Sequence, residues 1–123
     1  MMRRLALIAV LGLAGCVTPS IPIPPPDPSL MTFTVTVDGS GVITGASFQY
    51  PPTVSYVGGV AYVYNRSIGI GAIQAVNGDG SIGPTPVVAA SENDQMVISV
   101  ENDEQTVSTC VLLRAGTPAS YCP

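Results

Sequence analysis

Apolar side chains in this chain recur at every second position, in short runs that end at glycine, proline, asparagine or aspartate. The run from Thr32 to Asp38 is the clearest, since Phe33, Val35 and Val37 alternate with threonine. A period of two places successive side chains on opposite faces of a strand, whereas a helix needs a period of about 3.6. The alternation therefore predicts half-buried β-strands and disfavours helical and α/β designs.

Turn signals separate the predicted strands at short intervals. They include Asp38-Gly39-Ser40-Gly41, Tyr50-Pro51-Pro52, Asn77-Gly78-Asp79-Gly80 and the acidic turn Glu101-Asn102-Asp103-Glu104. Pro84 and Pro86 reduce the run that follows them to an edge or irregular strand. This spacing favours an all-β sandwich of about seven strands. The predicted strands cover 32–38, 42–48, 59–65, 68–76, the run after Pro86, 95–100 and 106–114.

The first sixteen residues have the pattern of an export signal. Arg3 and Arg4 precede an apolar run too short to span a bilayer, and Leu13-Ala14-Gly15-Cys16 resembles the lipobox of bacterial lipoproteins. The resemblance implies that residues 1–15 are removed and that Cys16 carries a diacylglyceryl group. Val17 follows, where Asp would signal inner-membrane retention, so the outer membrane is favoured. The alternative is an ordinary secretory signal with Cys16 as a spare thiol.

Proline dominates the segment that follows the lipobox. Residues 17–30 contain six prolines. Proline fixes φ and lacks an amide donor, so we expect a stiff polyproline II spacer from Cys16 to the domain, which would begin at residue 31. Docking of a proline-recognition module is the alternative interpretation.

Charge and composition exclude several classes of function. The chain has no histidine and no tryptophan, and its four basic residues are all arginine, against eight carboxylates and a net charge of −4. Histidine-dependent catalysis and histidine-ligated zinc are excluded, and no basic stripe for nucleic acid exists. Loss of Arg3 and Arg4 with the signal peptide would leave two arginines against the same eight carboxylates, a net charge of −6.

Three stretches of the chain resemble bacterial Ig-like modules. They are Val63-Tyr64-Asn65, the segment 76–82 around the Asp-Gly-Ser turn, and the segment 93–100. The resemblance implies that residues 31–123 form a single Ig-like β-sandwich. It implies nothing about function, because sandwiches of this kind have many roles.

Two cysteines remain once Cys16 is assigned to lipid. In an exported chain Cys110 and Cys122 are expected to form a disulfide, with Cys110 on the outer face of its strand where a returning tail could reach it. A redox-active or metal-binding pair is the alternative, but the spacing is not that of a CxxC motif. No catalytic residue, metal site or cofactor is predicted.

Tyrosine supplies the remaining large side chains. With no tryptophan present, the tyrosines are expected to serve the core first. Tyr50 and Tyr56 flank a proline-containing loop, and they either pack inward or form an exposed patch for contact with a protein partner.

Oxygen-bearing residues in the turns could in principle hold calcium or act in glycosidase chemistry. Asn77, Asp79 and Ser81 alternate as calcium ligands do, but the bidentate glutamate at the required distance is missing and the turn explains them already. No sequence feature marks a pair of carboxylates flanking a cleft. The chain is therefore not expected to be an enzyme.

These features together predict a non-enzymatic accessory or interaction subunit of the cell envelope, anchored in the outer membrane or at the cell surface through the lipid on Cys16. An envelope protein is the expected partner and nucleic acid is not. The alternatives are an adhesive surface lipoprotein that binds glycan or protein, and a filament subunit completed by strand exchange.

Overall fold

The computed structural model describes residues 21–123, which form a sandwich of two antiparallel β-sheets. The predicted signal peptide, Cys16 and residues 17–20 lie outside the described residues. Within residues 21–123, no helix is long and apolar enough to cross a membrane. The strands are β1 (Thr32–Val37), β2 (Ile43–Gln49), β3 (Val60–Asn65), β4 (Ile70–Ala75), β5 (Val88–Ala89), β6 (Gln95–Asn102) and β7 (Gln105–Leu112), with short 3-10 turns at Pro28–Leu30 and Val54–Tyr56.

The strands divide into a three-stranded sheet of order β1-β2-β5 and a four-stranded sheet of order β4-β3-β6-β7. Neighbouring strands are antiparallel throughout both sheets. Consecutive strands pair as the hairpins β1–β2, β3–β4 and β6–β7, while β3 also pairs with β6. The prediction of an all-β, Ig-like sandwich of seven strands is confirmed.

The β6–β7 turn shows how local sequence chemistry sets an element. Asp103 and Glu104 form the two-residue connection, and both have positive φ, at 48° and 62°. This backbone conformation matches the right-handed twist of the two strands it joins. The acidic turn predicted at this position is confirmed.

The core lies between the inner faces of the two sheets. Phe33 of β1 packs on Phe48 of β2 with ring centroids 5.3 Å apart. From the larger sheet, Ala61, Val63 and Ile98 close the core from the opposite side. Other buried members are Met31, Ala46, Tyr50, Tyr56, Val76, Ile82, Val88, Ala90, Met96, Val100, Val111 and Leu113.

The predicted edge or irregular strand after Pro84 and Pro86 is present as the two-residue edge strand β5, since proline cannot donate to a ladder. The segment before it is not a strand, and Ile82 forms only an isolated bridge to Tyr50. One expectation about the strands is corrected. Val37 was expected on the buried face but is 52% exposed, because the β1–β2 register shifts between Thr36 and Val37.

The inner face of β3 is formed by its small and polar side chains. Ala61, Val63 and Asn65 point into the core, so Tyr62 and Tyr64 lie on the outer face of the larger sheet. Tyr64 is 42% exposed and Tyr121 is also exposed. The expectation that tyrosines serve the core first is therefore wrong for these two residues.

Candidate functional site

The two domain cysteines form a disulfide at the edge of the larger sheet. Cys110 of β7 and Cys122 of the C-terminal tail are bonded, with Cα atoms 5.3 Å apart. The tail lies beside β7, because Cys122 donates its N–H to the carbonyl of Cys110 and Leu112 donates to that of Ser120. The predicted disulfide, with Cys110 on the outer face, is confirmed.

Tyr50 and Tyr56 are buried rather than exposed. Tyr50 is 6% exposed and Tyr56 is completely enclosed, with their ring centroids 5.8 Å apart. Their hydroxyls are occupied, since Tyr50 accepts from the N–H of Asp27 at 2.9 Å and Tyr56 donates to the Pro24 carbonyl at 2.7 Å. The partner-contact interpretation is corrected, because these side chains hold the proline-rich segment of their own chain.

Residues 21–30 of the expected spacer run along the domain surface. The Gln105 side chain accepts from the N–H of Ile23 at 3.1 Å and donates to the carbonyl of Ile21 at 3.0 Å. Thr109 donates its hydroxyl to the Pro26 carbonyl at 2.6 Å, and the side chains of Ile23 and Pro26 are buried. Residues 21–27 form neither helix nor strand, as their prolines require, but they do not stand free of the domain.

The Asn77–Ser81 segment is a hydrogen-bonded turn. Asp79 accepts from the hydroxyl and N–H of Ser81, and both bonds lower the pKa of Asp79. The Asn77 side-chain amide donates to the Gly83 carbonyl at 2.9 Å and to the Ser81 hydroxyl at 3.0 Å. Gly80 has φ of 86°, and a Cβ at this position would collide with the Thr53 backbone. Within residues 21–123, no three histidine, cysteine or carboxylate side chains cluster as a metal site would need.

A buried polar junction at Asn65 was not predicted. Asn65 is fully buried, and its amide group donates to the Ala89 carbonyl at 3.1 Å and to the Asp94 carboxylate at 2.8 Å. Its side-chain oxygen accepts from the N–H of Ser67 at 3.0 Å. The signal in the sequence was an amide side chain on the same face as Ala61 and Val63. The junction ties the end of β3 to β5 and to the turn before β6.

The exposed surface with the strongest potential for contact lies along β4 and the adjoining outer face. Ile73 of β4 is 69% exposed and stands opposite Tyr62 of β3. Tyr64 stands opposite Gly71, and because glycine has no side chain the Tyr64 ring lies beside its backbone and remains 42% exposed. Residues 67–78, which contain β4, carry no ionisable side chain. We name Tyr62, Tyr64, Gly71, Ile73 and Ala75 the β4 surface.

One acidic group borders the β4 surface. The Tyr62 hydroxyl donates to the Glu101 carboxylate at 3.0 Å, and this hydrogen bond raises the pKa of Tyr62. Glu101 lies opposite Val60, at the end of β3 away from Asn65. The β4 surface is therefore neutral and largely apolar, with negative charge only at one end.

Comparison with known proteins adds no relative to this description. No family model, no curated protein and no solved structure matches the chain. The assignment of the domain as an Ig-like sandwich rests on strand number and pairing order alone.

Proposed function

We propose that this protein is a lipid-anchored, extracytoplasmic Ig-like module that acts by protein contact, as a non-enzymatic accessory or interaction subunit of the cell envelope. The lipobox-like Leu13-Ala14-Gly15-Cys16 supports export and anchoring at Cys16. The Cys110–Cys122 disulfide supports an oxidising compartment, where such bonds form and persist.

The observation that carries the contact function is the β4 surface. A protein with eight carboxylates and four arginines is strongly acidic, yet this strand and its flanks are neutral. Exposed edge strands usually carry a charged residue, a proline or a bulge. These features prevent the unpaired N–H and C=O groups of the edge from forming hydrogen bonds with a strand of another chain. An unguarded neutral edge is a surface suited to strand addition.

Affinity capture with the full-length protein tests the contact function. Wild type is compared with Ile73→Lys, which places a charge on the β4 surface, and with Val54→Lys, which makes the same change at an 87% exposed site in another part of the domain. We expect envelope extracts to yield a protein retained by wild type and Val54→Lys and lost with Ile73→Lys. Retention by all three variants, or by none, would contradict the proposal.

A further inference from the structure

We propose that two copies of this protein associate through β4, pairing antiparallel about a twofold axis at Ile73 so that their four-stranded sheets join. The inference rests on the proposed function only in using the same surface for contact. It adds the identity of a partner, which is a second copy of the chain.

The backbone groups at the edge of β4 point away from the domain. Val76 donates its N–H to the Gly59 carbonyl at 3.0 Å, so the backbone of Val76 faces β3. Because backbone direction alternates along an antiparallel strand, the N–H and C=O groups of Gly71, Ile73 and Ala75 face outward. Among residues 21–123, no hydrogen-bond partner reaches them. Such a row of groups is complemented by another strand.

The other edges are short or partly covered. The outer edge of β7 pairs with the C-terminal tail, through Val111 and Tyr121. At β1, Phe33 exchanges backbone hydrogen bonds with Gly116 and the ladder is irregular between Thr36 and Val37, so only the middle of this edge is open. In the small sheet, β5 has only two residues. In the part of the chain that the structure describes, β4 is therefore the longest edge without protection.

Charge selects the kind of strand that can pair there. Residues 67–78 have no ionisable group, so β4 gives a charged partner nothing to bind. Net negative charge opposes the association of two copies, and this repulsion is smallest where the surfaces that meet carry no charge. The same neutral strand in a second copy meets this requirement.

The outward residues of β4 that would meet across the axis are small or apolar. Gly71 and Ala75 lie two residues to either side of Ile73, so an antiparallel pair centred on Ile73 places Gly71 opposite Ala75 of the other copy. The outward groups of both strands would then form about six hydrogen bonds. On the outer face, Ile73 and Tyr62 of each copy would form one apolar strip across the axis. A twofold axis of this kind gives a closed dimer.

Sedimentation velocity over a concentration series tests the dimer in the full-length protein. We expect wild type and Val54→Lys to dimerise reversibly, and Ile73→Lys to raise the dissociation constant at least about tenfold, because two lysines would oppose each other. Ile73→Glu should be monomeric alone and should form a mixed dimer with Ile73→Lys. Circular dichroism and thermal melts should show that these variants remain folded, because both sites are exposed. Monomeric wild type, or equal association of all variants, would overturn the inference.

Cross-linking tests the position of the axis. Residues that form a hydrogen-bonded antiparallel pair have Cα atoms about 5.5 Å apart, within the range of a disulfide. Ile73→Cys should therefore form a covalent dimer under mild oxidation much faster than Thr34→Cys, an exposed position on β1. Equal rates would contradict the axis.

The two proposals can fail separately. A monomeric wild type with Ile73-dependent capture of another envelope protein would end the dimer inference and leave the proposed function standing. A dimer that captures no other envelope protein would support the dimer inference and contradict the proposed function.

Discussion

Tyr56 couples the hydrophobic core to the proline-rich segment through one hydroxyl group. Its ring is enclosed, and its hydroxyl donates to the Pro24 carbonyl at 2.7 Å. Burial raises the pKa of Tyr56 above its ordinary value of 10.0, and the neighbouring Tyr50 adds to the rise. The folded state therefore holds this proton more tightly than the unfolded chain does.

The raised pKa of Tyr56 predicts a loss of stability at alkaline pH. The stabilisation is fully present below the ordinary value of 10.0 and is lost as the pH rises above it, because only the unfolded chain then releases the proton. Tyr56→Phe should cost about 1 kcal/mol at neutral pH through the lost hydrogen bond. Between pH of about 8 and about 11, the free energy of unfolding of Tyr56→Phe should fall by less than that of wild type.

Urea unfolding at the two pH values measures this effect. Tyr64→Phe is the matched control, because Tyr64 is exposed. The stability of this variant should change with pH as that of wild type does. An equal fall in stability for Tyr56→Phe and wild type would contradict the prediction.

Asn65 shows what cannot be inferred from a single position. The alternation in β3 placed Asn65 on one face with Ala61 and Val63. Burial of an amide is favourable only when it is hydrogen-bonded, and its partners Ala89 and Asp94 come from distant parts of the chain. The face could be predicted from local sequence, whereas the buried junction depends on the packing of β3 against β5 of the other sheet and on the pairing of β3 with β6.

At the scale of elements, the proline-rich segment differs most from expectation, because it was expected to be a free spacer and residues 21–30 instead pack on the domain. Proline keeps residues 21–27 out of helix and strand, as predicted, and removes the amide donor at each proline position. The carbonyl groups of this segment remain strong acceptors. They accept hydrogen bonds from the Thr109 hydroxyl and the Gln105 side-chain amide on β7. Those donors are more than 80 residues away in sequence, with separations of 83 and 84.

Loss of the Thr109 hydroxyl should loosen this segment. We expect Thr109→Val to leave the Pro26 carbonyl without its partner, to cost about 1 kcal/mol, and to increase proteinase K cleavage within residues 21–30. Thr106→Val on the same strand is the control, because Thr106 is exposed and makes no such contact. Mass spectrometry of the fragments locates the cuts. Identical cleavage of both variants would show that Thr109 does not hold the segment.

At the scale of the whole molecule, the docked segment sets which end of the domain faces an anchor. Ile21 lies at Gln105, beside the β6–β7 turn with Asp103 and Glu104. The five-residue step from Cys16 to Ile21 spans at most about 18 Å. If Cys16 is lipidated as proposed, this turn lies near the membrane and the β3–β4 turn lies at the far end, about 25 Å further for a strand of eight residues.

Quenching by spin-labelled lipids measures this orientation. A fluorophore on Asp103→Cys should be quenched more strongly than one on Ile68→Cys, which lies in the β3–β4 turn. Cys16→Ser should release the protein and abolish quenching at both sites. Equal or reversed quenching in the anchored protein would contradict the orientation.

The amino-acid sequence by itself determined the class of fold, most strand positions and the disulfide. Alternation, turn residues and cysteine pairing act over a few residues or through simple chemistry, so they can be inferred without coordinates. Only the tertiary structure decided that Tyr50 and Tyr56 are buried, that residues 21–30 dock, and that β4 is left as an open edge. These outcomes depend on which strands become neighbours, and that choice is made by packing between residues far apart in the chain.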